Sequence, residues 1–149
     1  MDAEFMGKLG AGLVLGLSSI GVATGMGIAG SAAIGSAKRC FKSNKPVPML
    51  MLALVGFPLT EVIFGFIIMQ AILGLPPEMI QANGAKLLGL GIGAGLALAG
   101  VGIAEGKAAA AACDSLSDTG KGVALYIGIL GIIETVALFV MVFTLMNLR

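Results

Sequence analysis

Four apolar runs, each long enough to cross the hydrocarbon core of a bilayer as a helix of about 20 residues, take up nearly all of this 149-residue chain. The hydrophobic fraction is 58% and only 11% of residues are charged, which leaves too little polar surface to clothe a soluble core of this size. The expected fold class is therefore an all-α membrane protein of four transmembrane helices. The net charge is +1 and the chain has no basic cluster beyond one short loop, so no nucleic-acid partner is expected. Histidine is absent, which removes the commonest catalytic base and transition-metal ligand. Cys40 and Cys113 fall in no CxxC spacing and read as unpaired thiols facing a reducing compartment. The opening "MDAEFMGK" carries Asp2 and Glu4 where a secretory signal carries basic residues, so the first helix is expected to be retained.

Punctuation by turn residues predicts helices over about Lys8 to Ala37, Pro48 to Leu73, Ala85 to Ala112 and Val123 to Leu148. "KRCFKSNKP" (Lys38 to Pro46) and "CDSLSDTGKG" (Cys113 to Gly122) read as polar loops, and "GLPPEMIQANG" (Gly74 to Gly84) as a turn-rich connector. The chain is a duplicated helical hairpin, with a first unit over 1–75 and a second over 84–149. "GMGIAGSAAIGSA" (Gly25 to Ala37) lies over "GVGIAEGKAAAAA" (Gly100 to Ala112) at an offset of 75, and "LTEVIFGF" over "IIETVALF" at an offset of 73. Each half is a small-residue helix, a loop, and a bulky helix with one central acid.

Lipid tails are as apolar as leucine, so membrane helices associate by close packing, and glycine and alanine permit the closest approach. Helices one and three carry small residues on several faces and should be enclosed by protein, as on the inside of a tight ring. Helices two and four, with Phe57, Phe64, Phe66, Phe139 and Phe143, should lie outside against lipid. The first loop holds Lys38, Arg39, Lys42 and Lys45, whereas Asp2, Glu4 and Glu78 mark the N-terminus and the connector. The bias of basic residues toward the cytoplasm puts both hairpin loops there, and both termini and the connector on the other side.

Glu61 and Glu134 each sit near the middle of a bulky helix, where a charge costs at least about 2.5–3.5 kcal/mol. Pairing with a buried base is disfavoured, because the only candidate is Lys107, near the loop end of helix three. Permanently neutral packing glue does not account for two acids at matched depth on outward helices. A carboxyl that is emptied and refilled with an ion accounts for both. Glu105 has no counterpart in the first half, where Gly30 stands in its place. Two readings are open for it: a cluster of three carboxyls with the Thr60 hydroxyl, or pairing with Lys107 or the cytoplasmic interface.

With "GVGIAEGKAAAAA", "FPLTE" and "IIETVALF" in this order of textures, the chain resembles the duplicated rotor-ring proteolipid of V-type and A/V-type rotary ATPases. The resemblance covers nearly the whole length. It implies a homo-oligomeric ring in the lipid bilayer that turns against a stator membrane subunit with an essential arginine. It implies a central stalk contacted by the loop residues Lys38, Arg39, Lys42, Lys45, Asp114, Asp118 and Lys121. Coupling of rotation to ATP turnover would reside in other chains, with no cofactor here. Glu134 matches the family's ion-carrying glutamate. Sodium-carrying members have ligands at the positions of Phe57 (backbone carbonyl), Thr60, Glu61 and Glu105, the last two being glutamine there. Glutamate at both, and Val136 where the family has tyrosine, mildly favour protons over a possible sodium at the same site. Glu61 would be a ligand to that site or a second carrier. The expected location is a bacterial or archaeal plasma membrane. A small four-helix proton-coupled exporter is the alternative, although its membrane glutamate is typically early in the first helix, where this chain has none.

Overall fold

The computed structural model describes residues 2–148 as six helices and one 3₁₀ turn, which together make four long apolar spans. The first span is α1 (Ala3–Lys42). The second is broken into α2 (Leu50–Gly56), a 3₁₀ turn over Phe57–Leu59 and α3 (Thr60–Leu73). A short α4 (Pro77–Ala82) lies in the connector, and α5 (Gly84–Thr119) and α6 (Val123–Met146) complete the second hairpin.

Helices α1 and α5 form the spine. Their contacts advance together, from Gly10 against Gly91, through Gly21 against Ala99, to Gly25 against Gly102 and Gly106, so the two run parallel. Glycine is needed where they touch: a Cβ on Gly106 would enter the backbone of Gly25, and one on Gly25 would enter that of Gly102. Backbones this close gain dispersion along a long seam, the main source of helix association where water is absent. Gly65 plays the same part for α3, since a Cβ there would strike the Ser18 side chain of α1. The bulky spans pack outside this spine and turn large side chains outward, including Leu52, Ile63 and Phe66 on one and Ile132, Phe139 and Phe143 on the other. Other glycines of the spine, Gly12, Gly16 and Gly27 on α1 and Gly89, Gly93 and Gly100 on α5, face open space.

Both hairpin loops lie at one end, where Arg39 of α1 pairs with Asp114 and Asp118 of α5. The connector and the N-terminal end of α1 meet at the other, with Gly7 against Ile80 and Gly84 against Ala3. Several boundaries differ from those expected of the sequence. The expected polar loops are largely helical: Lys38, Arg39 and Lys42 belong to the last turns of α1, and Asp114 and Asp118 to α5, while Lys45 and Lys121 remain in loops. At 40 and 36 residues α1 and α5 exceed the roughly 20 that a bilayer core needs, so polar residues continue each helix beyond the hydrocarbon. The true breaks are conformational. Asn44 takes φ 53°, and Gly120 and Gly122 take φ 64° and 93°, left-handed geometry that stops α5 and opens the three-residue turn into α6. In the connector, Pro77 occupies a first-turn position of α4, where its missing N–H costs no hydrogen bond. Cys113 lies inside α5 instead of at a helix end, and both cysteines are free and buried.

Candidate functional site: a buried cluster of three carboxyls

Pro58 determines how the first acid is presented. It has no N–H to give to the carbonyl of Leu54, and the N–H of Phe57 takes that carbonyl in the tighter 3₁₀ pattern. The helix restarts at Thr60, so Thr60 and Glu61 stand in the first turn of α3. Gly65, one turn further, lets α3 close against α1 and carries Glu61 into the interior. Glu105 is delivered by α5 at the residue before Gly106, whose missing Cβ admits the backbone of Gly25. Glu134 comes from the middle of α6. Glu61 and Glu134 each stand eleven residues after the first residue of their spans, Leu50 and Val123, which accounts for their matched depth.

The three acids converge. One carboxylate oxygen from each of Glu61, Glu105 and Glu134 lies within 4.8 Å of the other two. Glu61 and Glu105 are both 0% exposed, and Glu134 is half-buried at the outer edge of the group. The Thr60 hydroxyl lies 2.9 Å from Oε2 of Glu134, to which it donates, and 3.2 Å from the Phe57 carbonyl. A hydroxyl has one proton, so it holds one of these partners at a time as a donor and can turn its lone pairs to a cation. The carboxyl oxygens of Glu61 and Glu105 have no hydrogen-bond partner among the described residues. Buried polar atoms are nearly always satisfied, so these adjoining carboxyls need protons shared among them or a bound cation. Three carboxylates so close in an apolar interior cannot ionise together at acceptable cost. The group must be neutralised by protons or by a cation.

The structure thus brings together Phe57, Thr60, Glu61, Glu105 and Glu134. Lys107 is exposed and forms no ion pair with Glu105 among the described residues. Arg39, Asp114 and Asp118 form a separate exposed network at the loop end, joined by Ser36 and Ser117 through the Arg39 guanidinium, at 3.2 and 3.1 Å. That network links the two hairpins of one chain, so much of the loop-end charge is engaged internally. Sequence reasoning does not single out Gly65. Its signal is a glycine one turn after an intramembrane acid.

The family model described as that of the C subunit of ATP synthase matches this chain twice, over residues 9–72 and 88–146. The chain belongs to that family. The two matches fall one on each hairpin, so this member carries the family unit in duplicate. No curated protein matches the chain significantly. Members of the family form rings with the other subunits of an ATP synthase and move ions without catalysing the chemistry themselves. With four apolar spans and this membership, the protein is an integral membrane rotor-ring component, and the exporter alternative falls away.

Proposed function

We propose that this chain is the rotor-ring subunit of a V-type (A/V-type) rotary ATPase and carries one proton per chain at Glu134, with Thr60, Glu61 and Glu105 as the surrounding ligands. The observation that carries this reading is the convergence of the three acids on one centre. Two independent carriers would need separated sites, whereas Glu61 shares its surroundings with Glu134. The V-type assignment is supported by the duplication together with the loss of one site: Gly30 stands where the first hairpin would need its own Glu105. One site per four helices gives few ions per turn, an arrangement suited to pumping.

Glu134 is the carrier because it is the least enclosed of the three and has a hydroxyl donor to hold its ionised form. Its helix turns Ile132 (71% exposed), Val136 and Phe139 outward, the face on which a stator arginine would meet it. Protons are favoured over sodium by the ligand set: glutamates stand at Glu61 and Glu105, where sodium-carrying members have glutamine, and Val136 stands where they have tyrosine. The basic residues at the loop end favour a cytoplasmic position for it in a bacterial or archaeal cell, with Lys42, Lys45 and Lys121 available to a central stalk.

The test is ATP-driven transport by the intact complex in sealed vesicles, read with a pH-sensitive dye and with radioactive sodium. The expected result is acidification that is independent of sodium and abolished by Glu134→Gln. Sodium uptake without acidification would refute the proton assignment. Normal transport by Glu134→Gln would refute the carrier.

A further inference from the structure

We infer that successive copies of the chain are joined at the loop end by a peg and a groove. Ile34 and Phe41 of one copy enter the groove between α5 and α6 of the copy before it, and Asp114 beside that groove pairs with Arg39 of the entering copy as well as with its own. The ring itself comes with the family, whereas this joint is a property of the present residues and holds whichever ion the ring carries.

The duplication supplies the geometry. In a ring the second hairpin of one copy meets the first hairpin of the next, so contacts between α1 and α5 recur with residue numbers shifted by the repeat offset of 75. The faces this singles out are free in the single chain. Gly21, Gly25 and Ala29, buried on α1, correspond to Leu96, Gly100 and Ala104 of α5, all exposed. Gly102, Gly106 and Ala109, buried on α5, correspond to Gly27, Ser31 and Ile34 of α1, also all exposed. The contact of Gly25 with Gly102 becomes one of Gly100 with Gly27 of the next copy, and a Cβ on either of these meets nothing within 4 Å in the single chain.

The seam between copies is wider than the one inside the chain, because Leu96 stands in place of Gly21, Ile34 in place of Ala109 and Phe41 in place of Leu116. Inside the chain Ala109 and Leu116 pack with Met51 and Leu54 of α2, and α5 covers Ser36 and Cys40, whose Sγ lies 3.9 Å from the Ser117 carbonyl. The corresponding surface of the second hairpin, at Ala111 and Ser115, is an open groove of about 290 Å³, lined also by Ala108, Tyr126 and Ile129. The larger pegs, Ile34 at 74% and Phe41 at 70% exposed, fit this larger hole, and filling it gains the dispersion that holds membrane helices together. Charge closes the joint. Arg39 and Asp114 are themselves 75 apart, so the pair maps onto itself with roles exchanged, and Asp114 meets Arg39 of the next copy as it meets its own. Both side chains are about half exposed, and a carboxylate and a guanidinium each have room for a second partner. Repeated round the ring, the two residues form a closed belt of alternating charge.

The experiment is oxidation of the intact, detergent-extracted ring carrying Gly27→Cys together with Gly100→Cys, with assembly checked on native gels. The two positions point away from each other in one chain, and a disulfide needs Cα atoms within about 7 Å, so only neighbouring copies can be bridged. The expected result is dimers, trimers and higher multiples on a denaturing gel, and single chains only from either single variant, since Cys40 and Cys113 are buried. Beside it, dissociation of the ring by rising SDS is followed for Ile34→Ala and Phe41→Ala. Both should release single chains at lower SDS than the parent, with the helix content of the released chain unchanged by circular dichroism, because both side chains are exposed there. Asp114→Arg should weaken the ring, and adding Arg39→Asp in the same chain should restore it. An assembled ring that gives no cross-linked multiples would overturn the inference. So would alanine variants that hold together as well as the parent, the result expected if lipid fills the groove.

Discussion

Gly106 offers a quantitative check on how this fold holds its site together. Replacing it by alanine puts a methyl group where the backbone of Gly25 now lies, so α1 and α5 must part by on the order of 1 Å to restore ordinary contact. Overfilling a tight interface by one carbon costs about 1–3 kcal/mol. Alanine also favours a helix over glycine by up to ~1 kcal/mol, which offsets part of that cost. Gly128→Ala isolates the offset, because Gly128 is exposed on α6 with nothing within 4 Å of a new Cβ. The difference between the two variants is then the clash alone, about 1–3 kcal/mol. Titration of the detergent-solubilised protein with SDS, followed by circular dichroism, should show Gly106→Ala unfolding at clearly lower SDS than Gly128→Ala. Because Glu105 precedes Gly106, the same shift draws its carboxyl away from Glu61 and Glu134, and ion transport should fall as well. Gly25→Ala combined with Gly106→Ala should cost less than the two added, since one separation relieves both. Equal unfolding midpoints for Gly106→Ala and Gly128→Ala would refute the close approach of α1 and α5.

Three further outcomes follow from the site and the loop end. Thr60→Val removes the donor to Glu134, a hydrogen bond to a charged group worth about 1.5–3 kcal/mol, so transport by the complex should drop roughly tenfold or more and Thr60→Ser should restore it. Pro58→Ala returns an N–H to the broken span and lets α2 and α3 join; helix content by circular dichroism should not fall, while transport should, because Thr60 and Glu61 turn away from the centre. Arg39→Ala and Asp114→Ala should each loosen the loop end slightly, and the double variant should be no worse than either alone, with the effect vanishing at high salt.

The architecture is legible in the sequence because it depends on local composition. Apolar run length gives four spans, and the alternation of small and bulky textures separates spine from exterior without any contact information. The depth of Glu61 and Glu134 follows from counting along helices. Other features depend on rotation and register between helices, which no single helix records. Whether Glu105 joins the other acids or turns to Lys107 depends on how α5 is rotated against α3 and α6, and on the tight seam at Gly106 that fixes that rotation. The pairing of Arg39 with Asp114 likewise joins residues 75 apart, on helices whose register against each other the sequence does not state. The loop ends differ from expectation because lysine, serine and aspartate in a membrane protein signal the water boundary, and a helix can continue through it. Among the described residues, only Asn44, Gly120 and Gly122 take left-handed geometry there. The connector departs the same way: its two prolines read as a turn, yet the second begins a helix.

If Glu134 is a carboxyl that loads and releases an ion while Glu61 and Glu105 complete its site, the three acids must differ in reactivity. The most direct measurement is labelling of the intact ring with a carbodiimide that attacks protonated carboxyls, scored by peptide mass at each acid, with and without sodium and across pH. Glu134, the half-buried member, should label first, labelling should fall as pH rises, sodium should leave it unchanged, and one label per chain should stop transport. Protection by sodium, or equal labelling of Glu61 as a second independent site, would contradict it.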